Sequence, residues 1–181
     1  MSCLFWSDSY LCSYKKQVLQ AINADIGTIY GGSVRVRACG ICVHEGRILL
    51  VNQALYGSDE AFWSPPGGGV YFGETAEHAL AREFREETGL DVTVGRLLFV
   101  NEHIAAPLHA VELFFEINSF EGSVVSGFDP ELAADGQIIR EVRFLDWEEI
   151  QRYQPGQRHR ILNIAGSLAG IFELNKYISG N

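Results

Sequence analysis

The chain has 181 residues, 47% of them hydrophobic, and a formal net charge of −9. That length favours one domain with short additions at its ends, and that apolar share suffices for a compact core. The negative charge excludes a broad basic face, so a nucleic acid polymer is not an expected partner. A small phosphate-bearing substrate stays open, provided something positive, such as a bound divalent cation, reverses the local field. No run reaches the ~18–20 apolar residues of a membrane helix, and Met1 to Tyr14 lacks a basic start followed by an apolar stretch. No membrane association is therefore expected. The four cysteines (Cys3, Cys12, Cys39 and Cys42) read as reduced thiols, which implies a cytoplasmic protein.

In chain order, Val18, Leu19, Ile22 and Ile26 fall at helical spacing and predict an amphipathic helix over Ser13 to Ile26, part of a helical extension covering residues 1–33. Gly31-Gly32 breaks it, and residues 34–181 read as the main domain. Val34 to His44 and Arg47 to Gln53 predict two strands joined at Glu45-Gly46. Leu55 to Glu60 reads as a loop, and Pro65-Pro66 with Gly67 to Gly69 as strong loop punctuation. Thr75 to Thr88 is the clearest helix, with a stripe of Ala76, Ala79, Leu80 and Phe84 and with Gly89 where a left-handed cap falls. Strands follow over Val92 to Val100 and Ala110 to Ile117. Ser119 to Gly136 reads as a long loop, Ile138 to Leu145 as a strand and Asp146 to Tyr153 as a short helix. The tail from Gln157 to Ile178 carries Ile161, Ile164, Ala165, Leu168 and Phe172 and reads as helical. The interleaving predicts a sheet covered by helices on both faces.

The chemistry concentrates in Gly68 to Leu90, GGVYFGETAEHALAREFREETGL. Glu83 lies three residues before Glu86 and four before Glu87, so the carboxylates occupy neighbouring positions on one helical face. Like charges at those offsets destabilise a helix by roughly 0.2–0.5 kcal/mol per pair. Their place near the negative end of the helix dipole adds a further penalty. Arg82 and Arg85 offset this only in part, whereas a hard dication such as Mg²⁺ suits carboxylates, waters and phosphates together. Gly67 to Gly69 can bring backbone close to a ligand, and a carbonyl there can join the metal shell.

This segment resembles the Nudix signature G-x5-E-x7-R-E-U-x-E-E-x-G-U, where U is a bulky apolar residue. Gly68, Glu74, Arg82, Glu83, Phe84, Glu86, Glu87, Gly89 and Leu90 fill every fixed position. A chance match is on the order of 10⁻⁸ per starting position. The resemblance implies an α/β fold, a Nudix-like α/β/α sandwich with a mixed β-sheet plus N-terminal and C-terminal helices. It implies that Glu83, Glu86 and Glu87, with the Gly67 carbonyl, bind Mg²⁺ or Mn²⁺. It implies a structural pair of Glu74 and Arg82, and core anchors at Phe84 and Leu90. The implied reaction is attack of metal-activated water on a phosphoanhydride of a nucleoside diphosphate linked to another moiety. Glu83, Glu86, Glu87 and Asp135 are the catalytic candidates. For the general base Glu112, Glu116 and Glu131 stand beside Asp135, which precedes the strand at Ile138.

The box leaves the substrate open. Pro107 lies seventeen residues past Leu90, close to a proline associated in the family with ADP-ribose cleavage, so ADP-ribose or a nucleotide sugar ranks slightly ahead of a nucleoside triphosphate. Two other classes remain: a catalytically silent nucleotide sensor, against which the intact glutamates weigh, and a prenyl diphosphate isomerase, which needs a placed cysteine. The resemblance also admits a homodimer. Elsewhere the packing role is the commoner one. Cys39 and Cys42 lie three apart in a strand and face opposite ways, as buried thiols rather than a zinc half-site. Phe62, Trp63 and Tyr71 could stack on a base. His103 and His109 could touch substrate, and Arg35, Arg37 and Arg47 read as strand surface.

Overall fold

The computed structural model describes residues 31–54, 61–106, 108–125 and 139–179. The expected helix at Ser13 to Ile26, the loop at Leu55 to Glu60, Pro107, Glu131 and Asp135 lie outside the described residues.

Among the described residues, nine strands form two sheets. The mixed sheet runs β5 (Gly67–Gly69), β1 (Arg35–Ile41), β7 (Leu108–Glu121), β6 (Asp91–Ala105), β9 (Tyr177–Ile178). Here β1 and β7 are parallel, while β5–β1 and β6–β7 are antiparallel. In the second, antiparallel sheet, β3 (Arg47–Ala54) pairs β8 (Ile139–Leu145) along one edge. Along the other it pairs β2 (Val43–His44) and then β4 (Ala61–Ser64).

Ala38 to Cys42 and Ile48 to Val51 are continuous apolar runs because both faces of the chain are buried there. Alternation splits them between two cores. Cys39, Ile41, Ile48, Leu50, Phe114 and Leu145 enter one with Ile150, Ile161, Leu162 and Ile171 from the C-terminal helices. Ala38, Cys42, Leu49, Val51, Phe115 and Val142 enter the other with Ala79, Leu80 and Phe84. The last three belong to α1 (Ala76–Thr88), which packs on β1, β5 and β6. A helix layer therefore lies on each side of the strands, the sandwich expected from the sequence. Cys39 and Cys42 go to opposite cores as free thiols, and burial pushes both thiols up, Cys42 to about 12.

Three local expectations change. The glycine run at Gly67 to Gly69 is a strand, because Arg37, Ala38 and Cys39 of β1 pair with it residue for residue. β6 and β7 extend past their predicted ends, since they pair with each other from Asp91↔Glu121 to Ala105↔Leu108. The tail is two short helices, α3 (Arg160–Ile164) and α4 (Leu168–Phe172), broken at Gly166, before the chain rejoins the sheet as β9. Between β8 and that tail lies α2 (Trp147–Gln151), closed by a reciprocal cap between Asp146 and Glu149. No described helix is long and apolar enough to cross a membrane.

Candidate active site

Helix α1 starts where Thr75 Oγ1 accepts the His78 N–H at 3.2 Å. It stops at Gly89, whose φ of 74° is left-handed, a conformation costly for residues with a Cβ. Ala79, Leu80, Phe84 and Glu87 form its buried side. The only carboxylate on that side, Glu87, has to find partners in the protein. Its Oε2 accepts the Gly67 N–H at 2.9 Å and its Oε1 accepts Gln53 Nε2 at 3.3 Å.

Glu83 and Glu86 flank it, and Arg82 holds both. Its Nη1 donates to Glu83 Oε1 at 2.7 Å and to Glu86 Oε2 at 3.1 Å. The same guanidinium donates through Nε and Nη2 to the two oxygens of Glu74, each at 3.2 Å, and to the Gly69 carbonyl at 3.0 Å. Tyr71 lies under it, 4.2 Å from guanidinium carbon to ring centre. Glu74 also accepts the Tyr71 N–H at 3.2 Å, which closes the turn between β5 and α1. The hydrogen bond from Arg82 is the main reason the Glu74 carboxyl is held below the usual carboxylate range. Glu83 goes the other way. Burial raises it, the hydrogen bond and charge of Arg82 oppose that, and the neighbouring Glu86 adds to the rise.

The glycines are needed for proximity. A Cβ on Gly68 would stand 2.3 Å from the Glu83 carboxyl carbon, and one on Gly67 would stand 2.2 Å from the Ala38 carbonyl oxygen. Gly67 also has φ of +146°, which side-chain-bearing residues rarely adopt.

Beside this end of the helix is a cavity of about 450 Å³, its wall including Arg37, Gln53, Phe62, Glu112, Phe114 and His159. Two residues join it to the helix: Gln53, through Glu87, and Arg37, whose Nη2 donates to the Gly67 carbonyl at 2.9 Å. Arg37 Nε is 3.6 Å from Glu112 Oε1. Glu112 Oε2 accepts Asn101 Nδ2 at 2.8 Å and faces His159 Nε2 at 3.0 Å. Burial pushes the Glu112 carboxyl up, but the hydrogen bond and charge of His159, with Arg37 and Asn101, more than reverse this and bring it down to about 2.

Chemically, the glutamates suit a hard dication: oxygen donors only, on adjacent turns of one face. In this conformation their bonds are already committed, two to Arg82 and one to Gly67. Among the described residues no three His, Cys, Asp or Glu side chains converge into a cage. Arg82 bridges Glu83 and Glu86, and Glu87 is bonded to the Gly67 N–H. Likewise the Gly67 carbonyl, an expected metal ligand, is taken by Arg37.

A family model described as NUDIX domain matches residues 33–163. The chain belongs to the Nudix family. It is 31% identical over 91 residues to the 8-oxo-dGTP diphosphatase of Proteus vulgaris, covering 50% of this chain and 81% of that protein. It is 32% identical over 121 residues to the MutT-like protein of Streptomyces ambofaciens, covering 61% and 75%. In fold it is similar to the MutT NUDIX hydrolase from Burkholderia pseudomallei, with a TM-score of 0.61 and 23% identity over 79% of this chain and 99% of that one. As a Nudix pyrophosphohydrolase it acts on nucleotide pyrophosphate bonds.

Within this Nudix framework the structure gathers Gly67, Gly68, Glu74, Arg82, Glu83, Glu86 and Glu87 at one place. Of the suggested general bases, Glu116 is paired to Arg96 at 2.9 Å on the surface. Glu112 is ill suited, since a carboxyl brought to about 2 has little affinity for a proton near neutral pH. His109 is engaged by Glu102 at 2.9 Å, while the exposed His103 lines the cavity. Trp63 is buried in the core, and Phe62 faces the cavity.

Sequence reasoning missed Gln53 and His159 and misread Arg37 as strand surface. One signal was available. On β1, Arg35 and Arg37 alternate in step with the buried Cys39 and Ile41. On β7, Glu112 alternates in step with Phe114. Charged residues in phase with a core face mark a polar recess in it.

Proposed function

We propose that this chain hydrolyses a phosphoanhydride bond of a small nucleotide, with Glu83, Glu86 and Glu87 as the carboxylates that hold a divalent cation, Mg²⁺ or Mn²⁺. The observation that carries the reading is the tie of Glu87 to Gln53 and to the Gly67 N–H, beside a cavity whose wall contains Gln53 and Arg37. A divalent cation supplies positive charge against phosphoryl oxygens and makes water more acidic where it binds. The chain's residues do the rest. Arg37 is a cavity cation that can meet a phosphate oxygen once it leaves the Gly67 carbonyl. Gln53 and the Gly67 N–H orient Glu87. Arg82, clamped by Glu74 and Tyr71, sets the spacing of Glu83 and Glu86. Asp135 stays a proposed proton acceptor.

Among substrates, a nucleoside triphosphate now stands ahead of ADP-ribose or a nucleotide sugar. The relative from Proteus vulgaris is named for a nucleoside triphosphate, and Pro107, the motive for ADP-ribose, is outside the described residues. The test is a panel of nucleoside triphosphates, ADP-ribose and nucleotide sugars with Mg²⁺ or Mn²⁺, with products identified by mass spectrometry. Release of a nucleoside monophosphate that stops with EDTA and returns with metal is the expected result. No release from any substrate would leave a nucleotide sensor.

A further inference from the structure

The cavity wall carries a group that repels a phosphate. Glu112 is 8% exposed and held ionised by His159, Arg37 and Asn101. An ionised carboxylate only accepts hydrogen bonds. Its two oxygens are used unequally. Oε2 takes both Asn101 Nδ2 and His159 Nε2, whereas Arg37 Nε stands 3.6 Å from Oε1, beyond hydrogen-bond range. Oε1 therefore keeps accepting capacity toward the cavity. Its orientation is fixed from both sides. Asn101 must turn its NH₂ to the carboxylate, which leaves Asn101 Oδ1 without a partner among the described residues. His159 is anchored as the cap of α3, with Nδ1 accepting the Ile161 N–H at 3.4 Å.

Two phenylalanines of the cavity wall pack against His159, the partner of Glu112. The Phe114 ring centre lies 5.5 Å from that of His159, and the Phe62 ring centre 6.4 Å from it. Arg37, beside Glu112, and Gln53 lead on to Gly67 and Glu87. A nucleotide with its phosphates toward Gly67 and the box glutamates places its flat apolar end toward Phe62, Phe114 and the acceptor, with Arg37 between the two.

We infer that Glu112 Oε1 reads the nucleobase, selecting bases that present an N–H donor, such as the exocyclic amine of adenine or cytosine, over bases that present none at that edge. This rests on the hydrolase reading, because it takes the cavity as the nucleotide's. A ribose hydroxyl offers the same donor chemistry, and the aromatic wall favours the base over it.

The test compares ligands identical in phosphate and ribose. AMP and purine riboside 5′-monophosphate differ only in the amine. Calorimetric titration of the full chain should show AMP binding about tenfold tighter or more, as expected for a hydrogen bond to a charged group. Glu112→Gln should bring the two affinities within a factor of about three, by loss of that same bond. A merely structural Glu112 would weaken both ligands together and leave the ratio unchanged. Equal binding of the pair by the wild-type chain overturns the inference, and so does binding of neither. If nucleotides are nonetheless hydrolysed, the hydrolase reading stands without it. If no nucleotide is hydrolysed but the pair is separated, base reading stands and the hydrolase reading falls.

Discussion

Glu83 and Glu112 are the same side chain, both largely withdrawn from water, and their proton affinities move in opposite directions. Glu83 stands in a like-charged cluster on α1, with Arg82 as its main counter-charge and Arg82 shared with Glu74 and Glu86. Glu112 has Asn101 and His159 as close donors, with Arg37 at 3.6 Å besides. Burial penalises both; the number of donors per carboxylate decides the sign. The box end is thus short of positive charge, the condition in which a dication gains most. The cavity end is satisfied without one.

The largest effects should come from removing charge at the deficient end. Glu87→Gln keeps the shape and an oxygen for the Gly67 N–H, yet removes a proposed metal-holding charge. It should lower kcat/KM on the order of a hundredfold or more, with far-ultraviolet circular dichroism unchanged. Activity within a factor of about two would remove Glu87 from the metal assignment. Gly68→Ala attacks the same end by volume. Its Cβ would overlap the Glu83 carboxyl, so either Glu83 turns away or β5 shifts. Overpacking of this kind costs about 1–3 kcal/mol, measurable as a lower urea midpoint. An unchanged midpoint and activity would show the β5–α1 contact to be loose.

The comparison itself is tested by pH in cation-free protein. Glu112 has a folded value below its unfolded one, so its ionised form stabilises the fold above the unfolded value, near 4.3, and that contribution is lost as pH falls toward about 2. A displacement of that size is worth about 3 kcal/mol at most. Glu83 has a folded value above its unfolded one, so its ionised form costs stability at neutral pH, and the cost disappears below the unfolded value. Glu112→Gln should therefore destabilise at pH 7 and flatten the acid limb of a urea-midpoint profile. Glu83→Gln should stabilise at pH 7. Shifts of the same sign would refute the donor-count explanation.

These two ends were not equally legible in the sequence. The box is local: Gly68 to Leu90 is one strand, one turn and one helix, so spacing alone put Glu83, Glu86 and Glu87 on one face. The interleaving of strands and helices likewise announced a sheet covered on both faces. What spacing does not carry is which partner a side chain chooses. Nothing in Gly67 to Leu90 says that Arg82 will bridge Glu83 and Glu86, or that Arg37 will take the Gly67 carbonyl. The cavity end is built from long-range pairing. Glu112 and His159 are 47 positions apart, and they meet because β7 lies beside β1 and the tail folds back under the sheet. The glycine run was read as a loop because glycine weakens a strand in isolation, and only the partner β1 makes Gly67 to Gly69 extended.

The smallest expected effect separates charge from scaffolding within the box. Glu74 ties the Tyr71 N–H to Arg82, and Arg82 in turn spaces Glu83 and Glu86. Glu74 is near the surface, where an ion pair contributes up to about 1 kcal/mol. Glu74→Gln can keep the Tyr71 bond through its amide oxygen but loses the charge on Arg82. It should lower the cation-free urea midpoint slightly and change Mn²⁺ affinity less than Glu87→Gln does. Arg82 freed from Glu74 still has two carboxylates to hold, so the spacing of Glu83 and Glu86 should survive. A loss of Mn²⁺ affinity as large as that of Glu87→Gln, at unchanged stability, would place Glu74 among the metal-holding groups and dissolve the division between scaffold and ligand.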